Sequence, residues 1–149
     1  NKPCVAVSTL EALAKNAADF TGIVCCVMDA RCKQVYHALF RKSESGQIRL
    51  TPDHAISIED LQKELLSYSE PILLVGDGAD LCYNEYQKTI PEIRLCGVAN
   101  RYQKASSVGL SAIEKIHDGQ ILTASELIPE YLRLPQAQRE LIKKRRTTI

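Results

Sequence analysis

The sequence predicts an α/β fold in which a three-strand antiparallel meander is followed by alternating helices and strands. Three observations predict it. A continuous apolar run, Gly22 to Asp29, is followed by two shorter β-rich runs separated by turn residues. After Pro52 the apolar spacing becomes helical, and helix-like and strand-like segments then alternate. The 149 residues, 45% hydrophobic and 25% charged, are enough to build one folded core.

The first predicted helix runs from Thr9 to Phe20. The preceding Ser8 and Glu11 have the spacing of a capping box, and apolar residues follow at helical intervals until Gly22. An apolar run from Cys4 to Val7 predicts a short strand before this helix.

The predicted meander begins with Gly22 to Asp29, whose side chains leave no polar face and therefore indicate a strand buried on both sides. Val35 to Phe40 is rich in β-formers and predicts the second strand. The turn signal Ser43 to Gly46 separates it from the third strand, Gln47 to Thr51.

The second half of the chain predicts three helices and two strands in alternation. They are a helix from the Ser57 cap to Ser69, a strand Pro71 to Val75, a helix Ala79 to Thr89, a strand Glu92 to Cys96 and a helix from Ala105 to Ile116. In the last of these, a regular apolar stripe predicts a buried face, and Gly109 within it predicts close approach to a neighbouring element. A final helix is predicted to begin at Pro135.

This order of elements is that of a ribonuclease-H-like lobe, the unit that actin-like ATPases duplicate. The formal net charge is only +1, which excludes a global field that would attract nucleic acid or an acidic membrane. No stretch approaches the length of a membrane span, and no signal segment opens the chain. We therefore expect a soluble, cytoplasmic protein.

The six cysteines are predicted to be reduced structural thiols, because the chain has no C-x-x-C pair. Cys25 and Cys26 are adjacent on a strand and should point to opposite faces. Cys32 lies in a polar turn beside Arg31 and Lys33, which could lower its pKa, but a reactive role is not predicted. No metal site is predicted.

Asp29 and Arg31, at the tip of the first hairpin, are candidates for a functional site. In a ribonuclease-H-like nuclease this place holds a metal-binding carboxylate, and in an actin-like ATPase the hairpin approaches phosphates. Asp77 and Asp80 are the other carboxylates near a strand end. The alternative is that these aspartates only cap turns.

Gly76, Asp77 and Gly78 form a second candidate segment, where a strand ends and a helix begins. Backbone amides could hold an anion there, but the spacing matches neither the dinucleotide fingerprint nor the phosphate loop. The glycines are also explained by a tight turn alone.

The three histidines show no nucleophile in motif context, and His37 is interpreted as a solvent-facing strand residue. The cluster Lys143, Lys144, Arg145 and Arg146 is a candidate for RNA contact, which Arg101 and Lys104 could join. The alternative is a solvated helix end, where cations are favoured by the helix dipole.

Four stretches resemble the second half of TsaB proteins, the glycoprotease-like branch of the actin-like ATPase superfamily. They are VSTLEALA (7–14), MDAR with the following VY (28–36), VGDGA (75–79) and PEYLR (129–133). The resemblance implies a non-catalytic subunit that supports the paralogous TsaD and the ATPase TsaE in placing a threonylcarbamoyl group on the adenosine beside the anticodon of tRNAs reading ANN codons.

The resemblance also implies that the carbamoyl donor, an adenylate, is made elsewhere, and that ATP or ADP would bind only at an interlobe or partner interface. It places Asp29, Arg31 and residues Gly76 to Gly78 on the interlobe cleft. The enzymatic alternative is an actin-like ATPase or glycoprotease-type hydrolase that uses this cleft.

The Asp-Thr-Ser turn and the Gly-Pro-Gly-Ser-Phe-Thr-Gly-like segment of a TsaB first lobe do not occur here. We therefore expect a fragment: residues 1–20 ending the first lobe, 21–119 forming the second lobe and 120–149 returning as a C-terminal segment. Apolar residues exposed on the Thr9 to Phe20 helix and on the last helix predict a homodimer of the fragment.

Overall fold

The computed structural model describes residues 2–133. In chain order the elements are α1 (Thr9–Lys15), β1 (Gly22–Asp29), β2 (Gln34–Ser43), β3 (Gly46–Arg49), β4 (His54–Ser57), α2 (Ile58–Leu65), β5 (Ile72–Val75), α3 (Ala79–Tyr86), β6 (Ile93–Leu95), α4 (Val98–Arg101) and α5 (Ala105–His117). None of the helices within this range has the length and hydropathy needed to cross a membrane.

The strands form one mixed sheet in the order β3, β2, β1, β5, β6, and β4 also pairs with β2. Strand β1 pairs antiparallel with β2 from Gly22 to Asp29 and parallel with β5 on its other side. Strand β6 extends the parallel part. The central position of β1 explains its lack of a polar face, because helices cover both sides of the sheet around it.

Alternate residues of β1 enter two separate cores. Cys25 packs with α2 and α3 side chains such as Leu61 and Tyr86, whereas Cys26 packs with Leu10 and Leu13 of α1. The two adjacent cysteines therefore point to opposite faces, as predicted from strand geometry. Helices α2 and α3 cover one face of the sheet, and α1 covers the other.

Strand β4 was not predicted. Strand β2 is long enough to pair with two short strands along one edge, with β4 opposite Gln34 to His37 and β3 opposite Phe40 to Ser43. Between them, the backbone N–H of Leu39 donates to Thr51 Oγ1 at 2.9 Å. The four residues of β4 run directly into the cap of α2, so the sequence shows no separate strand signal there.

The two predicted serine caps are confirmed. Ser8 accepts a hydrogen bond from the Glu11 N–H at 3.1 Å, and Ser57 accepts one from the Asp60 N–H at 3.0 Å. Helix α1 is shorter than predicted and ends at Lys15, where Asn16 turns its side chain to the Tyr102 carbonyl. Its apolar residues are buried, so the prediction of an exposed apolar face on this helix is wrong.

Helix α5 begins at Ala105 as predicted and ends at His117, one residue beyond the predicted end, but it buries the opposite face. Its buried residues are Ser107 and Ser111, and the Ser107 hydroxyl donates to Asn16 Oδ1 at 2.6 Å next to α1. The apolar stripe is largely exposed, with Ile113 54% exposed, and Gly109 has no neighbour that would contact an added side chain. The predictions of a buried stripe and of a close approach at Gly109 are therefore wrong.

The segment Cys4 to Val7 does not form the predicted strand. Cys4 makes a single antiparallel bridge with Leu122, in which each residue's N–H donates to the other's carbonyl at 2.8 Å. This bridge ties the start of the described chain to the segment that follows α5. The predicted domain boundaries stay a prediction.

Candidate functional site

The two candidate segments meet at one edge of the sheet. Strands β1 and β5 are parallel neighbours, so their carboxyl ends lie side by side. The Gly78 N–H donates to the Val27 carbonyl at 3.2 Å, and the Asp29 N–H donates to Asp77 Oδ1 at 3.2 Å. The hairpin tip and the Gly76 to Gly78 turn therefore form one continuous surface, which we call the strand-end edge.

Asp29 closes the hairpin turn. Its Oδ1 accepts from the Arg31 N–H at 2.7 Å, and its Oδ2 lies 3.1 Å from Arg31 Nη1. Arg31, Cys32 and Lys33 all have positive φ angles, of 64°, 54° and 56°, a conformation that costs energy for side chains other than glycine. The carboxylate helps to hold this turn, which supports the interpretation of Asp29 as a turn cap.

The glycines of the second segment are required by packing against β1. Gly76 has a φ of +116°, and a side chain there would overlap the Val27 carbonyl oxygen. A Cβ at Gly78 would lie 3.1 Å from the Asp29 nitrogen. The close approach of the two backbones therefore accounts for both glycines without a ligand.

Asp80, in the first turn of α3, binds Arg101. The Arg101 Nη1 lies 2.7 and 2.6 Å from the two Asp80 carboxylate oxygens, and its Nε donates to the Cys96 carbonyl at 2.8 Å. Arg101 is 9% exposed. The prediction that it could join an RNA-binding surface is wrong, because its guanidinium is already used inside the protein.

Arg101 also supports the strand-end edge through its backbone, since its carbonyl accepts from the Gly76 N–H at 2.8 Å. The sequence does not indicate the ion pair between Asp80 and Arg101, because these residues are 21 positions apart and belong to no motif. The basic cluster Lys143 to Arg146 lies outside the described residues, so RNA contact there stays a prediction.

Five cysteines lie in or beside apolar runs of the sequence and are predicted to be buried. Cys25, Cys26, Cys82 and Cys96 are buried, whereas Cys4 is only partly buried. Burial raises the pKa of the Cys82 thiol to about 11, which keeps it a neutral thiol at physiological pH. Cys32 is exposed in the hairpin turn.

A second polar cluster lies within the fold, away from the strand-end edge. His37 Nε2 on β2 is 2.8 Å from His54 Nε2 on β4 and 3.6 Å from Glu64 Oε2 on α2. His37 is fully buried, so its interpretation as a solvent-facing residue is wrong. Burial, and then the charge of His54, lower the pKa of His37 to about 4, so its imidazole is neutral at pH 7.

Comparisons with known proteins agree with this architecture. The chain matches no protein-family model. It is 28% identical over 142 residues to the tRNA threonylcarbamoyladenosine biosynthesis protein TsaB of Bacillus subtilis (strain 168), an alignment that covers 95% of this chain and 60% of that protein.

Two solved structures share the fold. One is a Pseudomonas aeruginosa protein described by its similarity to the peptidase YeaZ, with a TM-score of 0.69, 21% identity, and coverage of 89% of this chain and 60% of the other. The other is YeaZ from Pseudomonas aeruginosa, with a TM-score of 0.65, 21% identity, and coverage of 88% and 60%. The chain thus spans about 60% of the length of these relatives.

These findings confirm two predictions. The resemblance to TsaB proteins extends along nearly the whole chain. The predicted α/β fold is shared with the YeaZ structures.

Proposed function

We propose that this chain is part of a TsaB-type protein, a non-catalytic subunit that supports a TsaD-like enzyme in threonylcarbamoylation of the adenosine next to the anticodon of tRNAs reading ANN codons. The observation that carries the proposal is the 28% identity to TsaB along 95% of the chain. The proposed partners are the TsaD-like subunit, a TsaE-like ATPase and, through them, tRNA.

The strand-end edge supports an accessory role. Asp29 accepts a hydrogen bond from the Arg31 N–H within its own turn, and Asp77 accepts one from the Asp29 N–H at the end of β1. A metal-dependent nuclease instead needs several carboxylates that converge on a shared ion. Here both Asp29 oxygens bond to Arg31 within the hairpin turn, and Asp77 Oδ1 links the second turn to the end of β1.

The proposal places the function in the assembly rather than in this chain alone. Because the chain spans about 60% of its relatives' length, contacts with the partners are proposed for the whole protein. The cytoplasmic location stays a prediction.

Reconstitution tests the proposal. The protein that contains this chain would be mixed with the TsaD-like and TsaE-like proteins, the threonylcarbamoyl adenylate and unmodified tRNA, and the modified nucleoside would be measured by mass spectrometry after digestion. We expect product only when the TsaD-like protein is present, and a strong loss of product when the protein that contains this chain is omitted. Product that is independent of that protein would contradict the proposal.

The hydrolase alternative makes a different prediction for the same protein. It requires that the protein hydrolyse ATP or peptide without its partners, and that Asp29→Asn abolish this activity. The accessory role predicts no activity that depends on Asp29. Partner-free turnover that is lost in Asp29→Asn would therefore favour the alternative.

A further inference from the structure

Three metal-binding side chains from three elements meet beside the sheet. His37 lies within β2, His54 begins β4 directly opposite it in the strand register, and Glu64 comes from the last turn of α2. One ligand atom of each lies within 4.8 Å of the other two. Within residues 2–133 this is the group of histidines, cysteines and carboxylates whose spacing suits a metal ion.

The spacing is close to that of a zinc site. With Zn–N and Zn–O bonds of about 2.0–2.1 Å in a tetrahedron, neighbouring ligand atoms are about 3.3 Å apart. The Nε2 atoms of His37 and His54 are 2.8 Å apart, and His37 Nε2 is 3.6 Å from Glu64 Oε2. All three ligand atoms lie within 4.8 Å of one another, so side-chain movements of roughly 1–1.5 Å would place them around one ion.

The surroundings of His54 suit a metal ligand. Its Nδ1 lies 3.0 Å from the Pro52 carbonyl, a distance at which an Nδ1–H donates and leaves the Nε2 lone pair directed at His37 and Glu64. A metal-bound histidine usually makes such a contact through its other ring nitrogen. The hydrogen bond thus selects the tautomer that binding requires.

The cluster is partly exposed to solvent. The His37 side chain is fully buried, and the Glu64 side chain is 28% exposed. His54 is half-buried. Two imidazoles and one carboxylate are a common ligand set for Zn²⁺ with water in the fourth position.

We propose that His37, His54 and Glu64 bind a Zn²⁺ ion that ties β4 and α2 to the central sheet. The inference is independent of the proposed function, because it requires neither a partner nor tRNA. It revises the expectation from the sequence that the chain has no metal site.

Zinc titration of the full chain tests the proposal. A Cys4→Ser, Cys32→Ser background removes the two thiols that are not buried, which could otherwise bind the metal. Competition with a chromogenic chelator should show one Zn²⁺ per chain, and Co²⁺ in its place should give the visible absorption of a tetrahedral site. Excess Zn²⁺ should also raise the melting temperature, because it binds only the folded state.

His54→Gln and Glu64→Gln in this background should each weaken Zn²⁺ binding by at least ~10-fold. Both residues are half-buried, so these variants are expected to fold, which far-UV circular dichroism checks. His117→Gln is the matched control, because it removes an exposed histidine at the end of α5. It should leave the affinity unchanged.

The proposal is overturned if the background protein binds no Zn²⁺, or if folded His54→Gln and Glu64→Gln bind it as tightly as the background protein does. The proposal is also overturned if His117→Gln weakens Zn²⁺ binding as much as His54→Gln and Glu64→Gln do. The outcome of the tRNA reconstitution does not affect these measurements, so the two proposals are tested independently.

Discussion

His37 is a buried imidazole that should make stability depend on pH. Burial first, and the charge of His54 second, lower its pKa in the folded state to about 4 from the ordinary value of 6.5. Between these values the unfolded chain binds the proton more readily than the folded one. The contribution of His37 to the free energy of unfolding is therefore fully present above about pH 6.5. It is lost as the pH falls towards 4, by roughly 3 kcal/mol in total.

Urea unfolding at pH 7 and pH 4.5, with a chelator present to remove metal, measures this loss. Other groups also titrate in this range, so the protein is compared with His37→Gln. The free energy of unfolding of this variant should decrease less between pH 7 and pH 4.5. His117→Gln should behave like the unaltered protein, because His117 is exposed. An equal decrease in His37→Gln would show that His37 is not the cause.

At the scale of elements, the turn between β5 and α3 depends on Gly76. Alanine at this position would be forced into a φ of +116° and into contact with the Val27 carbonyl. We expect Gly76→Ala to lower the free energy of unfolding by about 3 kcal/mol or more.

Gly109→Ala is the matched control for Gly76→Ala. Gly109 lies in α5 with open space around it, so alanine should stabilise the helix by about 0.5–1 kcal/mol. Both changes can be measured by chemical denaturation. A similar small effect of the two substitutions would mean that β1 and the Gly76 turn do not approach as closely as described.

At the scale of the whole molecule, α5 presents an exposed apolar face. Its members are Val108, Leu110, Ile113 and Ile116, which are 42% to 56% exposed. An apolar face of this kind favours association with another surface. We expect the 149-residue chain to self-associate through this face. The homodimer predicted from the sequence was assigned to other helices and stays a prediction.

Light scattering over a range of concentrations measures this association. Ile113→Lys should keep the chain monomeric at concentrations where the unaltered chain gains mass. Ile48→Lys is the control, since Ile48 is an equally exposed apolar residue on β3, 62% exposed. Monomers at all concentrations, or an equal loss of association in Ile48→Lys, would contradict the prediction.

The local patterns of the sequence were enough to place most elements. The serine caps at Ser8 and Ser57 located two helix starts to the residue, because a cap depends on neighbours only three positions away. The wholly apolar β1 identified the central strand, since only a strand covered on both faces needs no polar side. The resemblance to TsaB proteins grouped Asp29 with the Gly76 to Gly78 turn, and in the structure these two segments are in contact.

Contacts between distant segments were decided only by the tertiary structure. Periodicity revealed that α5 has an apolar face, but Ser107 and Ser111 are the residues that pack inward, and Ser107 donates a hydrogen bond to Asn16 there. The Arg101–Asp80 pair and the His37–His54–Glu64 cluster depend on sheet register and helix placement, which no local pattern encodes. The sequence by itself determined the order and type of most elements, and packing determined which side chains meet.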